Sequence, residues 1–220
     1  MKLQNITARY GRKKVLKNIN LTLENEHQII GILGPNGAGK TTFLNVVLGR
    51  LNTFKGKRNI TETISYMPDH NFLYESMRVE TAIKLFKDLY PDFDEKKAYS
   101  MLKTFNIDPK TILHDCSKGM HEQIHLTLIL SRNTDFYILD EPLGAVDPLH
   151  REYLLKAIKE YRNPESSIII VTHLVKDLES LFDRILIFNN GEIVYGATIN
   201  NMRVNVENTE ELYKRVLSTK

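Results

Sequence analysis

The chain has one cysteine, Cys116, in 220 residues. No intrachain disulfide can form, and the expected compartment is a reducing one. Tryptophan is absent and aromatic residues make up 9%. No basic stripe with interleaved aromatics occurs, so nucleic acid is not an expected partner. Neither sign of charge dominates: 30 basic against 27 acidic residues leave a net charge of +3. No run approaches the ~18 apolar residues of a membrane span. The start, MKLQNITARYGRKK, lacks the apolar core of a signal peptide. The expectation is a cytoplasmic chain that reaches a membrane only through a partner. Hydrophobic usage of 42% and charged usage of 26% are ordinary for a globular protein. Repeats, low-complexity segments and an obvious linker are missing, which suits one domain or one domain with a small subdomain.

What is present is an alternation of strands and helices. Residues 3–9 and 15–24 alternate apolar and polar side chains and predict half-buried antiparallel strands. HQIIGIL, 27–33, predicts a buried strand ending in glycine, and KTTFLNVVLG, 40–49, a helix. TISYMP, 63–68, is a short strand ended by proline. From about 70 to 116 the spacing becomes helical in VETAIKLFKDLY and DEKKAYSMLKTF, with Pro91 between and Pro109 after. FYILD, SIIIVT and RILIFN are apolar or β-branched enough to be buried parallel strands. NNGEIVYG, 189–196, carries a hairpin turn, and the tail from 208 reads as a polar amphipathic helix. The expected fold class is α/β: a core with a mostly parallel sheet, an N-terminal antiparallel β subdomain and an inserted helical subdomain at 70–116.

Three segments carry chemistry. Gly34-Pro35-Asn36-Gly37-Ala38-Gly39-Lys40-Thr41 matches G-x-x-x-x-G-K-[ST] in full, after a strand and opening a helix. Glycines let backbone N–H groups close on phosphate oxygens, Lys40 reaches the β- and γ-phosphates, and the Thr41 hydroxyl suits Mg²⁺. A chance match is expected in only roughly one chain in a hundred. Phe136-Tyr137-Ile138-Leu139-Asp140-Glu141 delivers two carboxylates to the end of a buried strand, where ligands sit in α/β sheets. Asp140 suits the metal, and Glu141 a water attacking the γ-phosphate; the plain alternative is two surface charges. His173 directly follows SIIIVT, as a phosphate sensor or as a satisfied structural histidine. In CSKGM, 116–120, Ser117 and Gly119 open an apolar helix. That is either an ordinary cap followed by a surface glycine or a helix start meant for an anion.

The succession GPNGAGKTT, SYMPD, CSKGM, YILDEP, GAVD and THL is similar to the ATP-binding subunits of ABC transporters over about residues 1–200. CSKGM, DEPLGAVDP and YPDFD resemble short ATPases of Gram-positive exporters, often encoded beside a GntR-type regulator and handling peptides or antimicrobial stress. The resemblance implies a P-loop NTPase core, a single ABC-type ATP-binding domain over residues 1–220, and an ATPase with ATP and Mg²⁺ as cofactors, which dimerises around two nucleotides and drives a membrane exporter. Catalytic roles fall to Glu141, His173 and Lys40. Nucleotide contacts fall to Tyr10 on the adenine and to Asn36, Gly37, Ala38, Gly39, Lys40, Thr41 and Thr42 on the phosphates. From the opposite subunit they fall to Ser117, Lys118, Gly119, Met120 and Asp147. Metal ligands are Thr41, Asp69 and Asp140.

Several positions depart from the family pattern. Cys116, Lys118 and Met120 replace leucine, glycine and glutamine of the signature, and Asp69 stands where glutamine is usual. Lys118 either adds charge at the phosphate or points to water, and Tyr10 could equally be a plain strand-end tyrosine. The implied partners are a second ATP-binding subunit and a membrane-spanning subunit docking on the helical insertion, with the chain peripheral on the inner face of the membrane. Phe72, Leu73, Tyr74 and Met77 are either contacts for that subunit or core of the insertion. Competing classes are a soluble ABC ATPase and a nucleotide-switched sensor; one P-loop, no sustained heptads and the retained Glu141 and His173 count against them.

Overall fold

The computed structural model describes residues 1–144, 148–199 and 209–218. The chain divides into two compact units, Met1–Thr63 with Ser167–Lys220, and Ile64–Ser166.

In the first unit, β1 (Lys2–Tyr10), β2 (Lys13–Thr22) and β4 (Phe54–Asn59) form an antiparallel sheet in the order β2-β1-β4. Leu3, Ile6, Ala8, Leu16 and Ile19 are buried; the three-residue steps from Leu3 to Ile6 and from Leu16 to Ile19 break strict alternation, and the ladder shifts register between Leu3 and Ile6, with Asn5 and Asn18 at positive φ. Strand β3 (Ile29–Leu33) runs between β7 (Ser167–Thr172) and β8 (Arg184–Asn189), parallel to both, and β9 (Glu192–Thr198) returns antiparallel to β8. Every residue of β3 and β7 is buried, which is why IIGIL and SIIIVT are continuously apolar or β-branched rather than alternating. A Cβ on Gly31 would meet the Phe182 ring at 2.9 Å, so glycine lets that ring close on the central strand. Helix α1 (Lys40–Val47) buries Phe43, Leu44, Val46 and Val47, and Phe43 meets Phe188 at 5.1 Å between ring centroids. Burying one such ring contributes about 2–3 kcal/mol. Helices α6 (Val175–Leu178) and α7 (Thr209–Ser218) pack together, and Glu179 accepts from the Thr209 amide at 2.8 Å.

In the second unit, β5 (Ile64–Met67) and β6 (Phe136–Asp140) are parallel. Around them lie α2 (Val79–Leu89), α3 (Glu95–Thr104), α4 (Lys118–Leu130) and α5 (Pro148–Tyr161). The Ser65 hydroxyl donates to the Ile129 carbonyl at 3.0 Å and anchors α4 on β5. Phe86 packs against Phe72, Tyr90 and Phe93. Arg132 lies 3.8 Å above the Tyr90 ring centroid and grips Asp92 through two hydrogen bonds of 3.0 and 2.9 Å. That planar fork is a geometry lysine cannot reproduce. Among the described residues no helix is long and apolar enough to cross a membrane.

The α/β expectation holds. Strand β4 was not expected: FKGKRN has lysines and a glycine, five of its six residues are exposed, and it shows no apolar alternation. It forms because β1 offers it a partner edge.

Candidate functional site

The P-loop runs from β3 into α1. Gly37 and Gly39 have φ of +80° and +105°, values open to glycine and strained for other residues. Gly39 is the N-cap of α1, with no side-chain cap on the first turn; those amides and the positive helix end suit an anion. The rear of the loop is tied down by main chain, since the Gly191 amide donates to the Ala38 carbonyl at 2.9 Å. Lys40 is buried, and its Nζ donates to the Gly34 carbonyl at 2.6 Å and the Pro35 carbonyl at 3.2 Å. The one cation of the loop thus lies over the loop itself. Asn36 and Thr41 are exposed, Ala38 and Thr42 buried.

The same unit carries Tyr10 and His173. Tyr10 ends β1 and is 53% exposed, an aromatic face open to stacking. His173 is exposed immediately after β7, at a turn where the Thr172 hydroxyl accepts from the Leu174 amide at 2.9 Å.

The second unit carries the carboxylates and CSKGM. Asp140 is buried at the end of β6, and the Tyr66 hydroxyl donates to it at 3.3 Å. Glu141, half-buried, has φ of +50°. A left-handed backbone on a glutamate stores strain, a feature that gathers at functional sites. Ser117 is the N-cap of α4 and accepts from the Met120 amide at 3.2 Å, which leaves its own hydroxyl proton free to donate. Ser117 and Lys118 are exposed, Gly119 and Met120 half-buried. Among the described residues, a Cβ on Gly119 would find only Ser117 Oγ, at 3.9 Å. Asp147 lies outside the described residues. Asp69 is exposed and pairs with the adjacent His70 at 2.9 Å. Of the candidate partner contacts, Leu73 is buried, Phe72 and Met77 half-buried, and Tyr74 is 78% exposed.

Sequence reasoning missed how the Asp69 segment meets α4. His125 Nε2 lies 3.1 Å from Asn71 Oδ1, and Phe72 stacks on the His125 ring at 4.4 Å. A histidine inside an apolar helix run was the available signal. Burial, helped by the charges of His121 and His70, pushes the His125 pKa down to about 4. Burial also pushes Glu122, two residues after CSKGM, up to about 7. The two act oppositely. The unfolded His125 takes up a proton from its ordinary value of 6.5 downward while the folded one resists to about 4, so its stability is lost as pH falls through that window. Glu122 disfavours the fold as pH rises from 4.5 to about 7. Urea unfolding at pH 7 and pH 4.5 should show the His125→Phe chain losing roughly 2–3 kcal/mol less than wild type on acidification. Equal losses would mean that His125 is not held neutral.

Residues 16–144 match the ABC transporter family profile. An uncharacterised ABC transporter ATP-binding protein of Methanocaldococcus jannaschii is 32% identical over 92% of this chain and 79% of its own length. The lipopolysaccharide export system ATP-binding protein LptB of Haemophilus influenzae is 30% identical over 96% and 95%. An ATP-binding subunit of an ABC transporter superposes with a TM-score of 0.87 at 22% identity, covering 99% of both chains. A bacterial ABC transporter cassette solved as a dimer gives 0.73 at 22%, covering 90% of this chain and 98% of that one; both solved structures speak to the fold alone. The phosphate loop, the Asp140-Glu141 pair and the family match over residues 16–144 converge: this chain belongs to the ABC transporter family and is an ATP-binding ATPase subunit of it.

Proposed function

We propose that the chain works as one half of a dimer closed around two Mg-ATP, and that ATP hydrolysis drives a membrane-spanning exporter. The observation that carries this reading is Gly119. A glycine inside the first turn of a helix costs up to about 1 kcal/mol relative to alanine. Among the described residues no packing contact asks for it, since a Cβ there would meet only Ser117 Oγ, at ordinary contact distance. A bare surface beside an outward Ser117 hydroxyl suits an anion presented by another molecule. The phosphate on the P-loop of a second subunit is that anion, and the dimeric cassette with the same fold supports the arrangement.

Each residue then has a part. The P-loop amides and Lys40 bind the phosphates, and leaving the Gly34 and Pro35 carbonyls frees the Lys40 ammonium for them. Tyr10 stacks on the adenine, Glu141 takes the proton of the attacking water, and His173 touches the γ-phosphate. Ser117 and Gly119 complete the site of the opposite subunit, with Lys118, Met120 and Asp147 beside them. Mg²⁺ fits the oxygen donors Thr41 and Asp140, a hydroxyl and a carboxylate of the kind it takes along with substrate phosphates; bound there, it would neutralise charge on the γ-phosphate. The membrane subunit docks on the helical insertion, residues 70–116, where Tyr74 stands exposed. The chain thereby lies on the inner face of the membrane. Export is favoured over import by the likeness to LptB and by the wording of CSKGM and DEPLGAVDP, which points to the peptide or antimicrobial exporters of Gram-positive bacteria with a GntR-type regulator alongside.

Co-purification with the membrane protein encoded beside it is the test, with ATPase rate measured with and without that protein. A chain that hydrolyses ATP and binds no membrane partner would overturn the exporter reading. In the same assay Asp69→Gln restores a longer, neutral ligand and frees His70. ATP binding should persist while stimulation by the membrane subunit changes at least twofold. Rates matching wild type in both conditions would put Asp69 outside the metal and coupling path.

A further inference from the structure

The antiparallel sheet of the first unit is charged in one sense only. Strands β1, β2 and β4 carry two, three and three basic residues, eight in all, and no acidic one, although the chain as a whole is nearly balanced. On one face of this sheet lies a cleft of about 510 Å³ lined by Thr7, Arg9, Lys14, Thr53, Phe54 and Lys55. Arg9 stands directly opposite Lys14, and Thr7 opposite Lys55. Two like charges paired across strands are destabilising. Among the described residues no acid pairs with Arg9, Lys14 or Lys55 to relieve them.

Lysines on exposed edge strands guard against unwanted strand pairing, and β2 and β4 are the edges of this sheet. That role does not extend to Arg9, which is on the central strand. The hydroxyls fit the same purpose as the cations. Thr7 Oγ1 accepts from the Asn18 amide at 3.1 Å, so its proton is free to be donated into the cleft. The cleft is separate from the P-loop site: Tyr10, offset by one residue from Arg9, belongs to the opposite side of the pleat.

We infer that this cleft binds a multiply charged phosphate group, held by Arg9, Lys14 and Lys55 with hydrogen bonds from the threonines. A phosphate concentrates nearly two charges and three acceptor oxygens at one point, which matches three converging cations better than singly charged carboxylates do. A single aromatic, Phe54, does not make the stacking platform that a nucleic-acid strand requires. The phosphate can come from a free polyphosphate or from the monoester phosphate of a lipid headgroup.

Amine acetylation read by mass spectrometry reports on the cleft alone, whatever happens at the P-loop. Inorganic tripolyphosphate should slow modification of Lys14 and Lys55 at least fivefold relative to Lys110, and Arg9→Ser should cut that protection at least threefold without lowering the ATPase rate. Protection by phosphatidic acid vesicles, absent with phosphatidylcholine and with tripolyphosphate, assigns the phosphate to a lipid. The inference is overturned if neither probe protects the two lysines, if phosphatidylcholine protects them equally, if Arg9→Ser leaves protection intact, or if only a single-stranded oligonucleotide protects.

Discussion

With Mg-ATP present, the Glu141→Gln chain should run as a stable dimer and hydrolyse ATP ~10²–10⁴-fold more slowly than wild type, the usual loss when a general base is removed. Glutamine keeps the size of glutamate and can still hold a water, but cannot accept its proton. The strained backbone at position 141, with φ of +50°, is unchanged by the exchange, so the water should remain in place. Unspent ATP then holds two chains together through Ser117 and Gly119 of each. Adding Ser117→Arg should dissolve the dimer, because a large side chain enters the space that is open over Gly119. Size-exclusion chromatography with light scattering, with and without Mg-ATP, reads both results. A Glu141→Gln chain hydrolysing at the wild-type rate would remove Glu141 from the chemistry. A dimer indifferent to Ser117→Arg would remove CSKGM from the interface.

The second large effect is expected at Lys40. Lys40→Ala should weaken binding of a fluorescent ATP analogue at least ~100-fold, since hydrogen bonds to a charged group contribute about 1.5–3 kcal/mol each and more than one is lost. The effect has two sources. The cation that would meet the β- and γ-phosphates is gone, and so is the clamp on the Gly34 and Pro35 carbonyls that shapes the loop beforehand. Lys40→Arg separates them, because it retains charge and donors while its fork does not fit the point contacts of an ammonium. Unchanged affinity in Lys40→Ala would mean that the phosphates bind elsewhere.

Much of this was legible in the residues because the signals were local. IIGIL before Gly34, SIIIVT before His173 and FYIL before Asp140 are each a buried strand delivering a candidate site residue to its end, and each strand formed as read. NNG at 189–191 became the hairpin turn, with Asn190 and Gly191 both at positive φ, as that dipeptide permits. Strand β4 escaped notice because its order comes from pairing with β1 and not from its own pattern. The contact of Asn71 and Phe72 with His125 escaped for a related reason. It joins positions more than fifty residues apart, and no periodicity encodes which histidine of a helix meets which loop. The charge of the β1-β2-β4 sheet was visible as composition, but its concentration around one cleft depends on the register that sets Arg9 against Lys14.

The main-chain tie between Gly191 and Ala38 bears on the order of events during synthesis. The Gly191 amide holds the Ala38 carbonyl, while the Gly191 carbonyl takes the Lys17 amide at 2.8 Å. A Cβ at position 191 would lie 2.3 Å from the Val15 carbonyl oxygen, so only glycine can stand there. The back of the phosphate loop is therefore a splice of three segments, two made early and one made more than 150 residues later. A nascent chain with the whole P-loop outside the ribosome still lacks its rear support until the hairpin at 189–192 arrives, and loop closure over such a separation is slow. A ribosome-bound fragment ending before residue 191 has the P-loop sequence but not the fastening that holds its shape.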